Sequence, residues 1–369
     1  MLRILHVMGC SDVGGISSVV RNFAEFMDWS QIHFDIALTV PEEGQNSRAL
    51  EAMGAKIYHI PLKSEDPEGF RRELTELLQK GNYDGIHVHE SETSYVALRI
   101  AKKLGIPCRI AHSHTSSPYE GLRSIPRRWS GCLLNYHYAT HVIACGQLSG
   151  DRVFGKWNMR RSRAVVLPNA VDSRRFAYDP VVRQEMRSAL GAEDRLILGM
   201  ASRLSPEKNI PFALELTAEL RKTIPEVLLL VAGNGEEEPM LQEKIREQNL
   251  RDHVHFLGRR ADMDRLFQAF DIFLLPSLHE GFPVAAVEAM ASGLPVLLSD
   301  TVTRELDFGS GVRYLSLQKM PDWVSAVLSF RQDTGRETRQ QEIEDNDLDI
   351  RASARKLAEI YRQDAAASR

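Results

Sequence analysis

The chain has 369 residues and only four cysteines, none of which form a Cys-x-x-Cys pair. They lie far apart, inside apolar segments where a free thiol packs as a small core residue, at Cys10, Cys108, Cys132 and Cys145. No run comes near the ~18 consecutive apolar residues of a membrane span, and the first residues lack the basic region and cleavage site of a secretory signal. We therefore expect a reduced, cytoplasmic protein.

Two patterns that would define other chemistries are also missing. Neither glycine-rich turn, at residues 9–16 and 231–236, has the GxGxxG spacing followed by an acid, which disfavours an NAD-dependent oxidoreductase. His-Val-His-Glu at 87–90 and His-Ser-His at 112–114 each contain a His-x-His motif, but no constellation of cysteines or carboxylates accompanies them at metal spacing. We interpret these motifs as a polar crevice wall and expect no metal cofactor.

Periodicity and composition predict an α/β protein with two Rossmann-like, doubly wound domains. The hydrophobic share of 43% and charged share of 26% are typical of a globular protein, and the chain is longer than the ~250–300 residues at which one core stops growing. Short runs of Ile, Val and Leu alternate with helical patterns in both halves, as in parallel βαβ units. We place one domain at 1–175, a second at 176–346, and an amphipathic helix at 347–369.

The net charge of −4 conceals a basic segment at 121–163, in which Asp151 is the single acid. Trp129 and Trp157 lie among its cations, with Tyr136 and Tyr138. Such a segment favours an anionic partner. We interpret it as a peripheral contact with anionic lipid or a lipid diphosphate rather than nucleic acid; the alternative is a solvated arginine-rich face. The cations are Arg123, Arg127, Arg128, Arg152, Lys156, Arg160, Arg161 and Arg163.

Three loops that follow predicted strands carry glycines or cations. Gly14 and Gly15 open a helix, where backbone N–H groups can bind phosphate, although a tight turn explains them equally well. Arg203 and Lys208 begin a helix in the second domain, an unfavourable place for cations unless a diphosphate lies between them; two solvated cations with Glu207 as a partner are the alternative. Gly233 is interpreted mainly as a turn.

A fourth loop carries two carboxylates. Glu280 follows a buried strand, Pro283 begins a helix, and Glu288 lies about one and a half turns inside it, amid Ala and Val. A carboxylate in such surroundings needs a partner. Ribose and sugar hydroxyls are candidates, and a neighbouring Arg or a backbone N–H is the alternative.

These motifs together resemble the retaining glycosyltransferases of family 4, which have the GT-B fold. The resemblance rests on Glu280 and Glu288 within Pro-Ser-x-x-Glu-Gly-Phe-Pro, on Arg203 with Lys208, on Gly14-Gly15, and on Asn169-Ala170-Val171-Asp172. The combination of His-Ser-His at 112–114 with Glu-Gly-Phe-Pro-Val at 280–284 resembles the bacterial branch that makes capsular polysaccharide or exopolysaccharide. The resemblance implies two domains facing across a cleft, the first binding acceptor and the second binding donor, with the terminal helix crossing back to the first.

The resemblance also implies roles for single residues. Glu288 would bind the ribose of a nucleotide and Glu280 the hydroxyls of the donor sugar. Arg203 and Lys208 would neutralise the leaving diphosphate. Either His112 or His114 would face the sugar. The remaining donor contacts would come from Gly14, Gly15, Gly233, Arg259 (in the turn facing the base), Gly281, Phe282 and Pro283.

The implied reaction transfers a sugar to a saccharide or polyprenyl-diphosphate-linked acceptor in cell-surface polysaccharide synthesis. The family branch implies that the donor is a UDP-sugar. The reaction would need no divalent metal, because fixed cations stabilise the leaving phosphate, and the phosphate would assist the incoming hydroxyl on the same face of the sugar. Two alternatives remain: a sugar-nucleotide epimerase or hydrolase of the same fold, and a non-catalytic protein that binds nucleotide sugars.

Overall fold

The computed structural model describes residues 1–9, 15–40, 44–114, 125–309, 311–331 and 336–366. It divides into two compact units. One contains Met1–Ala170 together with Ile350–Arg369, and the other contains Val171–Asp349. Predictions about Cys10, Gly14 and Arg123 concern positions outside the described residues.

The first unit is built on a sheet of seven strands, all paired in parallel, in the order β3-β2-β1-β4-β5-β6-β7. The central strands are buried along most of their length, as expected for apolar runs covered by helices on both faces. The strands are β1 (Leu2–Met8), β2 (Ile32–Leu38), β3 (Ile57–His59), β4 (Gly85–Val88), β5 (Cys108–Ser113), β6 (His141–Ala144) and β7 (Ala164–Val166).

Helices of this unit connect successive strands. The helix Pro67–Gly81 shows why a helix begins where it does: Asp66 accepts a hydrogen bond from the N–H of Gly69 (2.8 Å), and Pro67 takes the first helical position. The helices are α1 (Gly15–Glu25), α2 (Gln45–Ala52), α3 (Pro67–Gly81), α4 (Tyr95–Lys103), α5 (Ile125–Tyr138), α6 (Gln147–Gly150) and α7 (Lys156–Met159).

The second unit has a six-stranded sheet, also parallel, in the order β10-β9-β8-β11-β12-β13. Its strands are β8 (Leu196–Ala201), β9 (Val227–Ala232), β10 (Val254–Phe256), β11 (Ile272–Leu275), β12 (Val296–Ser299) and β13 (Val312–Leu315). Its helices are α8 (Pro180–Ala189), α9 (Ile210–Leu220), α10 (Glu238–Glu247), α11 (Met263–Ala269), α12 (Val284–Ala291), α13 (Met320–Arg331) and α14 (Gln340–Asp345). Two parallel α/β sheets confirm the predicted fold class.

The terminal helix α15 (Ile350–Ala366) returns to the first unit, as predicted. Its apolar face, with Leu357 and Tyr361 fully buried, joins the core that Ile4, Phe34 and Ile110 form on one face of the sheet. Tyr361 also makes a polar contact there, because its hydroxyl lies 2.6 Å from Nδ1 of His87. The last helix is therefore part of the first domain's core.

Both sheets reverse their strand order beside their first strand. In the first unit the reversal lies between β1 and β4, and in the second between β8 and β11. Loops that leave the carboxyl ends of strands on the two sides of such a point run in opposite directions and leave a crevice, which is where open α/β sheets bind ligands. The loops after β1, β4, β8 and β11 are therefore the places for a site.

No helix in the described part of the chain is long and apolar enough to cross a bilayer. Cys108, Cys132 and Cys145 are free thiols.

Candidate active site

Backbone and side-chain hydrogen bonds join the two loops at the reversal point of the second sheet. The N–H of Leu278, after β11, donates to the carbonyl of Glu207, after β8 (2.8 Å). Asn209 begins α9 in the left-handed conformation, with φ of 51°, and its side-chain amide donates to the carbonyl of Pro276 (3.2 Å). These contacts fix the separation of the two loops.

An ion pair crosses the same point. Lys208 Nζ donates to Oε1 of Glu280 at 2.7 Å, and the Ser277 hydroxyl donates to the same oxygen at 2.8 Å. The lysine side chain is 21% exposed and the glutamate 11%. Thr301 donates to the carbonyl of the buried Ser277 (2.9 Å) and so fixes the base of the loop. A cation and a carboxylate are thereby held together where the crevice opens.

Arg203 has a different partner from the one that the sequence suggested. Its Nη2 and Nε lie 2.9 Å and 3.2 Å from Oε2 of Glu236, at the start of the segment after β9, and both side chains are largely exposed. The pKa of Glu236 is lowered, first by a hydrogen bond from its own backbone and then by the pair with Arg203. Glu207, which the sequence suggested as the partner of these cations, instead accepts a hydrogen bond from the N–H of Leu278 at its backbone carbonyl.

Gly233 is required by the close approach of two backbones. Its φ is +139°, and a Cβ at this position would stand 1.9 Å from the carbonyl oxygen of Ser202. Its N–H donates to the carbonyl of Gly258 (2.8 Å), which brings the turn of the exposed Arg259 to the same edge of the sheet. The loops after β8, β9 and β10 therefore lie side by side.

The residues between β11 and α12 are arranged as follows. Gly281 is half-buried, and Phe282 and Pro283 are buried. The helix begins at Val284, directly after Pro283, and Glu288 lies half-buried on its second turn. Glu280 thus lies in the loop before α12, and Glu288 lies within that helix.

The structure distinguishes the two candidate histidines of the first unit by burial. His112 lies inside β5 and is fully buried, whereas His114 follows the strand end and is partly exposed. Of the two, His114 is the one at the carboxyl edge of the sheet.

Both belong to a cluster of five histidine rings on the sheet face that α15 covers. His6 aligns with His87 in the register of β1 and β4. His6 Nδ1 lies 3.0 Å from Nε2 of His89, whose Nδ1 lies 2.8 Å from Nε2 of His114. A second series runs from the Tyr361 hydroxyl through His87 to Nδ1 of His112, the two rings lying 3.1 Å apart at their nitrogens.

Burial makes the cluster neutral. It lowers the pKa of His6 to about 3 and that of His114 to about 4. The same cause lowers the pKa of His87, His89 and His112 well below the ordinary value, with the neighbouring rings adding to the effect. Each imidazole therefore has one N–H and one lone pair at neutral pH.

The ring nitrogens also approach one another closely enough to consider a metal. Two groups of three, His6 with His87 and His89, and His89 with His112 and His114, have ligand atoms within 4.8 Å. A tetrahedral zinc needs lone pairs that converge on one point at about 2.0–2.1 Å. Here neighbouring rings are stacked or tilted, 13° to 35° apart, and share nitrogens pairwise, which is the arrangement of hydrogen-bonded chains.

Several contributors were not predicted from the sequence. Glu236 pairs with Arg203, and Ser277 donates to Glu280. The residues that adjoin the candidate histidines or their cluster are Asn169, His6 and Tyr361. His6 carries a signal that could have been used: it lies on the middle strand, two residues from Ile4 and Met8, and so on the same face as those core residues.

Family comparisons cover both units. The family model described as Glycosyltransferase Family 4 matches residues 13–175, and the one described as Glycosyl transferases group 1 matches residues 182–307. A protein named as a glycosyltransferase, EpsF of Bacillus subtilis (strain 168), is 34% identical over 338 residues, which is 88% of this chain and 86% of that protein.

Two further proteins are similar over most of the chain. The Escherichia coli protein named UDP-Gal:alpha-D-GlcNAc-diphosphoundecaprenol alpha-1,3-galactosyltransferase is 26% identical over 321 residues, 81% of this chain and 79% of that one. The crystal structure of Anabaena HepE in complex with UDP-glucose superposes with a TM-score of 0.81 at 21% identity, over 98% of this chain and 100% of that one, and so has the same fold.

Replacing Gly233 by alanine should destabilise the second unit by more than the about 1–2 kcal/mol that a left-handed φ alone costs, because the new methyl group collides with backbone. Gly191→Ala is the matched control, since Gly191 has φ of +60° and no atom within 4 Å of a Cβ. Urea unfolding measures both variants. Equal losses of stability would show that the loops do not approach as described.

Proposed function

Because the chain belongs to the glycosyltransferases of group 1 and family 4, we propose that it moves a hexosyl or N-acetylhexosaminyl group from a UDP-sugar to a saccharide or polyprenyl-diphosphate-linked acceptor. The transfer retains the anomeric configuration and serves cell-surface polysaccharide synthesis. The observation that carries the proposal is the pair of Lys208 and Glu280 across the reversal point of the second sheet.

Lys208 and Arg203 are the groups that act on the leaving diphosphate. Breaking the bond between sugar and phosphate develops negative charge on the phosphate oxygen, and positive groups already in place lower the barrier without reorganising. Lys208 is held by Glu280, while Arg203 is exposed and paired with Glu236. A diphosphate competes with Glu236 for the guanidinium, because it carries more charge than one carboxylate.

The two carboxylates bind hydroxyls. Glu280, held by Lys208 and Ser277, accepts hydrogen bonds from the donor sugar, and Glu288 accepts from the ribose. Glu280 is anchored by a cation and a hydroxyl on one oxygen, which suits a binding carboxylate better than a nucleophile. Retention then follows from attack by the acceptor hydroxyl on the face that the phosphate leaves, with the phosphate taking its proton.

The choice of UDP and of a lipid-linked acceptor is supported by similar proteins. The E. coli relative is named for a UDP-Gal donor and a diphosphoundecaprenol-linked acceptor, and HepE was crystallised with UDP-glucose. The proposed reaction needs no divalent metal, because Lys208 and Arg203 supply the positive charge.

The decisive assay incubates the full chain with UDP-, GDP- and ADP-sugars in EDTA, with lipid-linked and simple acceptors, and follows nucleoside diphosphate and glycosylated product by mass spectrometry. We expect turnover of a UDP-sugar, reduced at least about a hundredfold in Glu280→Gln and Arg203→Ala, since removing one transition-state contact costs about 10²–10³. Glu207→Gln, a neighbouring exposed carboxylate, should keep full activity.

The alternatives give different results in that assay. Release of UDP without a glycosylated product would favour the epimerase or hydrolase, and binding without release would favour a non-catalytic protein. Turnover that requires an added divalent metal would contradict the proposed role of the cations.

A surface on the first unit suits an anionic membrane. Trp129 and Leu133, one turn apart on α5, are 65% and 62% exposed, and Trp157 on α7 is 72% exposed. The two helices adjoin, since Asn158 donates to Cys132 Sγ across a distance of 3.6 Å. Lys156, Arg160 and Arg161 are exposed beside them. Aromatic side chains and cations together are the composition of an interfacial contact.

Serine at Lys156, Arg160 and Arg161 together should weaken binding to vesicles that contain phosphatidylglycerol, by about 1 kcal/mol for each cation, and leave binding to neutral phosphatidylcholine vesicles low. The control substitutes Lys80, Lys222 and Arg246, which are exposed elsewhere and change the net charge equally. Sedimentation with vesicles measures both. Equal losses in the two triple variants would mean that net charge, and not this surface, governs binding.

A further inference from the structure

A carboxylate of the first unit has the same place in its sheet as Glu280 has in the second. β4 and β11 are each the fourth strand of their unit in chain order, and each adjoins the unit's first strand across the reversal point. Glu90 is the second residue after β4, and Glu280 lies in the loop after β11. The two carboxylates therefore stand at equivalent positions of the two sheets.

A lysine holds Glu90, as Lys208 holds Glu280. Lys63 Nζ contacts Oε2 of Glu90 and lies 2.8 Å from the hydroxyl of Thr93. The side chain of Glu90 is 7% exposed, which is even less than that of Glu280. The other oxygen of Glu90, Oε1, has no hydrogen bond to any residue that the structure describes. One oxygen is thus anchored while the other is left for a ligand.

The backbone that presents Glu90 is strained. Ser91, the next residue, has φ of +50°, in the left-handed region that residues other than glycine rarely adopt. The buried side-chain amide of Asn135, on α5, holds this turn by donating to the carbonyls of Ser91 (2.9 Å) and Glu92 (3.1 Å). Strain that the surrounding structure maintains in this way clusters at ligand sites.

A buried hydroxyl without a partner borders the same space as Glu90. Thr39, directly after β2, is 4% exposed, and its Oγ1 has no hydrogen-bond partner among the described residues. A Cβ on the exposed Gly9, directly after β1, would lie 3.5 Å from Thr39 Oγ1 and 3.6 Å from Glu90 Oε1. Because Gly9 has no side chain, the two oxygens border one open space at the carboxyl ends of three adjacent strands.

The groups around this space define the chemistry of its ligand. A carboxylate oxygen accepts hydrogen bonds, and the hydroxyl of Thr39 both donates and accepts. Phosphate oxygens are acceptors, so a diphosphate offers nothing to Glu90. A ligand hydroxyl donates to Glu90, and a neighbouring hydroxyl of the same sugar ring bonds to Thr39. Since the donor sugar is assigned to Glu280 in the second unit, this space suits the other sugar of the reaction.

We propose that Glu90 Oε1 and Thr39 Oγ1 bind neighbouring hydroxyls of the acceptor saccharide beside Gly9. The proposal rests on the proposed function, which supplies a saccharide acceptor and the role of Glu280. One consequence does not depend on that function. Removing a buried hydroxyl that has no partner breaks no hydrogen bond, so Thr39→Val should leave the Tm of the chain unchanged or raised.

The kinetic test measures KM for the acceptor and the donor with the full chain. The acceptors offered with each UDP-sugar are GlcNAc-diphosphoundecaprenol and the methyl glycosides of glucose, galactose and N-acetylglucosamine. Glu90→Gln should raise KM for the acceptor about tenfold or more, and Thr39→Val about threefold or more, because each variant loses a hydrogen bond to the sugar. KM for the UDP-sugar and Kd for UDP should not change.

Gly9→Ala tests the space itself. Its methyl group would stand at ordinary contact distance from both oxygens, and the φ of Gly9 is outside the left-handed region. The variant should therefore keep its Tm, yet raise KM for the acceptor because the methyl group occupies the space between Thr39 and Glu90. It also decides the question if Glu90→Gln, which leaves Lys63 without its partner, does not fold.

Two control variants remove matched groups elsewhere in the first unit. Glu76→Gln removes a carboxylate that pairs with Lys80 on α3 at 3.1 Å. Thr140→Val removes a hydroxyl that has partners, the carboxylate of Asp364 and the carbonyl of Arg109. Both should keep KM for the acceptor, and Thr140→Val should lower Tm where Thr39→Val does not.

Three results would overturn the proposal: an unchanged KM for the acceptor in Thr39→Val and Gly9→Ala, a rise in KM for the UDP-sugar instead, or a loss of thermal stability in Thr39→Val. Failure of the proposed function looks different, because the unsubstituted chain would then turn over no donor with any of these acceptors. The acceptor site would fall with it.

Discussion

The reversal of strand order beside the first strand is the constraint on which the candidate site residues depend. In the second unit it lies between β8 and β11, so the loops carrying Lys208 and Glu280 leave neighbouring strands in opposite directions. They are joined by the backbone hydrogen bond of Leu278 to Glu207 and by the ion pair of Lys208 and Glu280. In the first unit the reversal places β4 beside β1, and β4 pairs with β5 on its other side. The five histidines on or directly after these three strands are thereby brought together. The candidate site residues of the second unit therefore lie in loops that follow the carboxyl ends of its strands.

The two edges satisfy their polar groups in different ways. At the second sheet opposite charges are paired, and removing one partner would leave a partly buried charge uncompensated, which is more costly than removing both. In the histidine cluster of the first sheet burial removes charge altogether, and neutral rings share protons instead. The first arrangement suits an anionic ligand, and the second suits the hydroxyls of a neutral one.

The sheets, the loop of Glu280 and the amphipathic terminal helix could be predicted because each is encoded locally, by apolar periodicity or by residues that follow a strand. The return of that helix to the first domain was implied only by the family resemblance. The partners of these site residues could not be predicted from the sequence. Arg203 pairs with Glu236 rather than with the nearby Glu207, and His6 meets His89 across 83 residues, because these contacts depend on which strands adjoin and in what register. Burial also separates His112 from His114, two residues whose spacing alone makes them equivalent.

The central claim, that donor chemistry is organised by the ion pair at the second reversal point, is tested most directly by a double-mutant cycle of Lys208→Met and Glu280→Gln on kcat/KM for the donor sugar nucleotide. Residues in contact couple by about 0.5–3 kcal/mol. The account predicts that each single change reduces kcat/KM strongly and that the double change costs much less than the sum of the two. Additive losses, or single variants with unchanged kcat/KM, would contradict it.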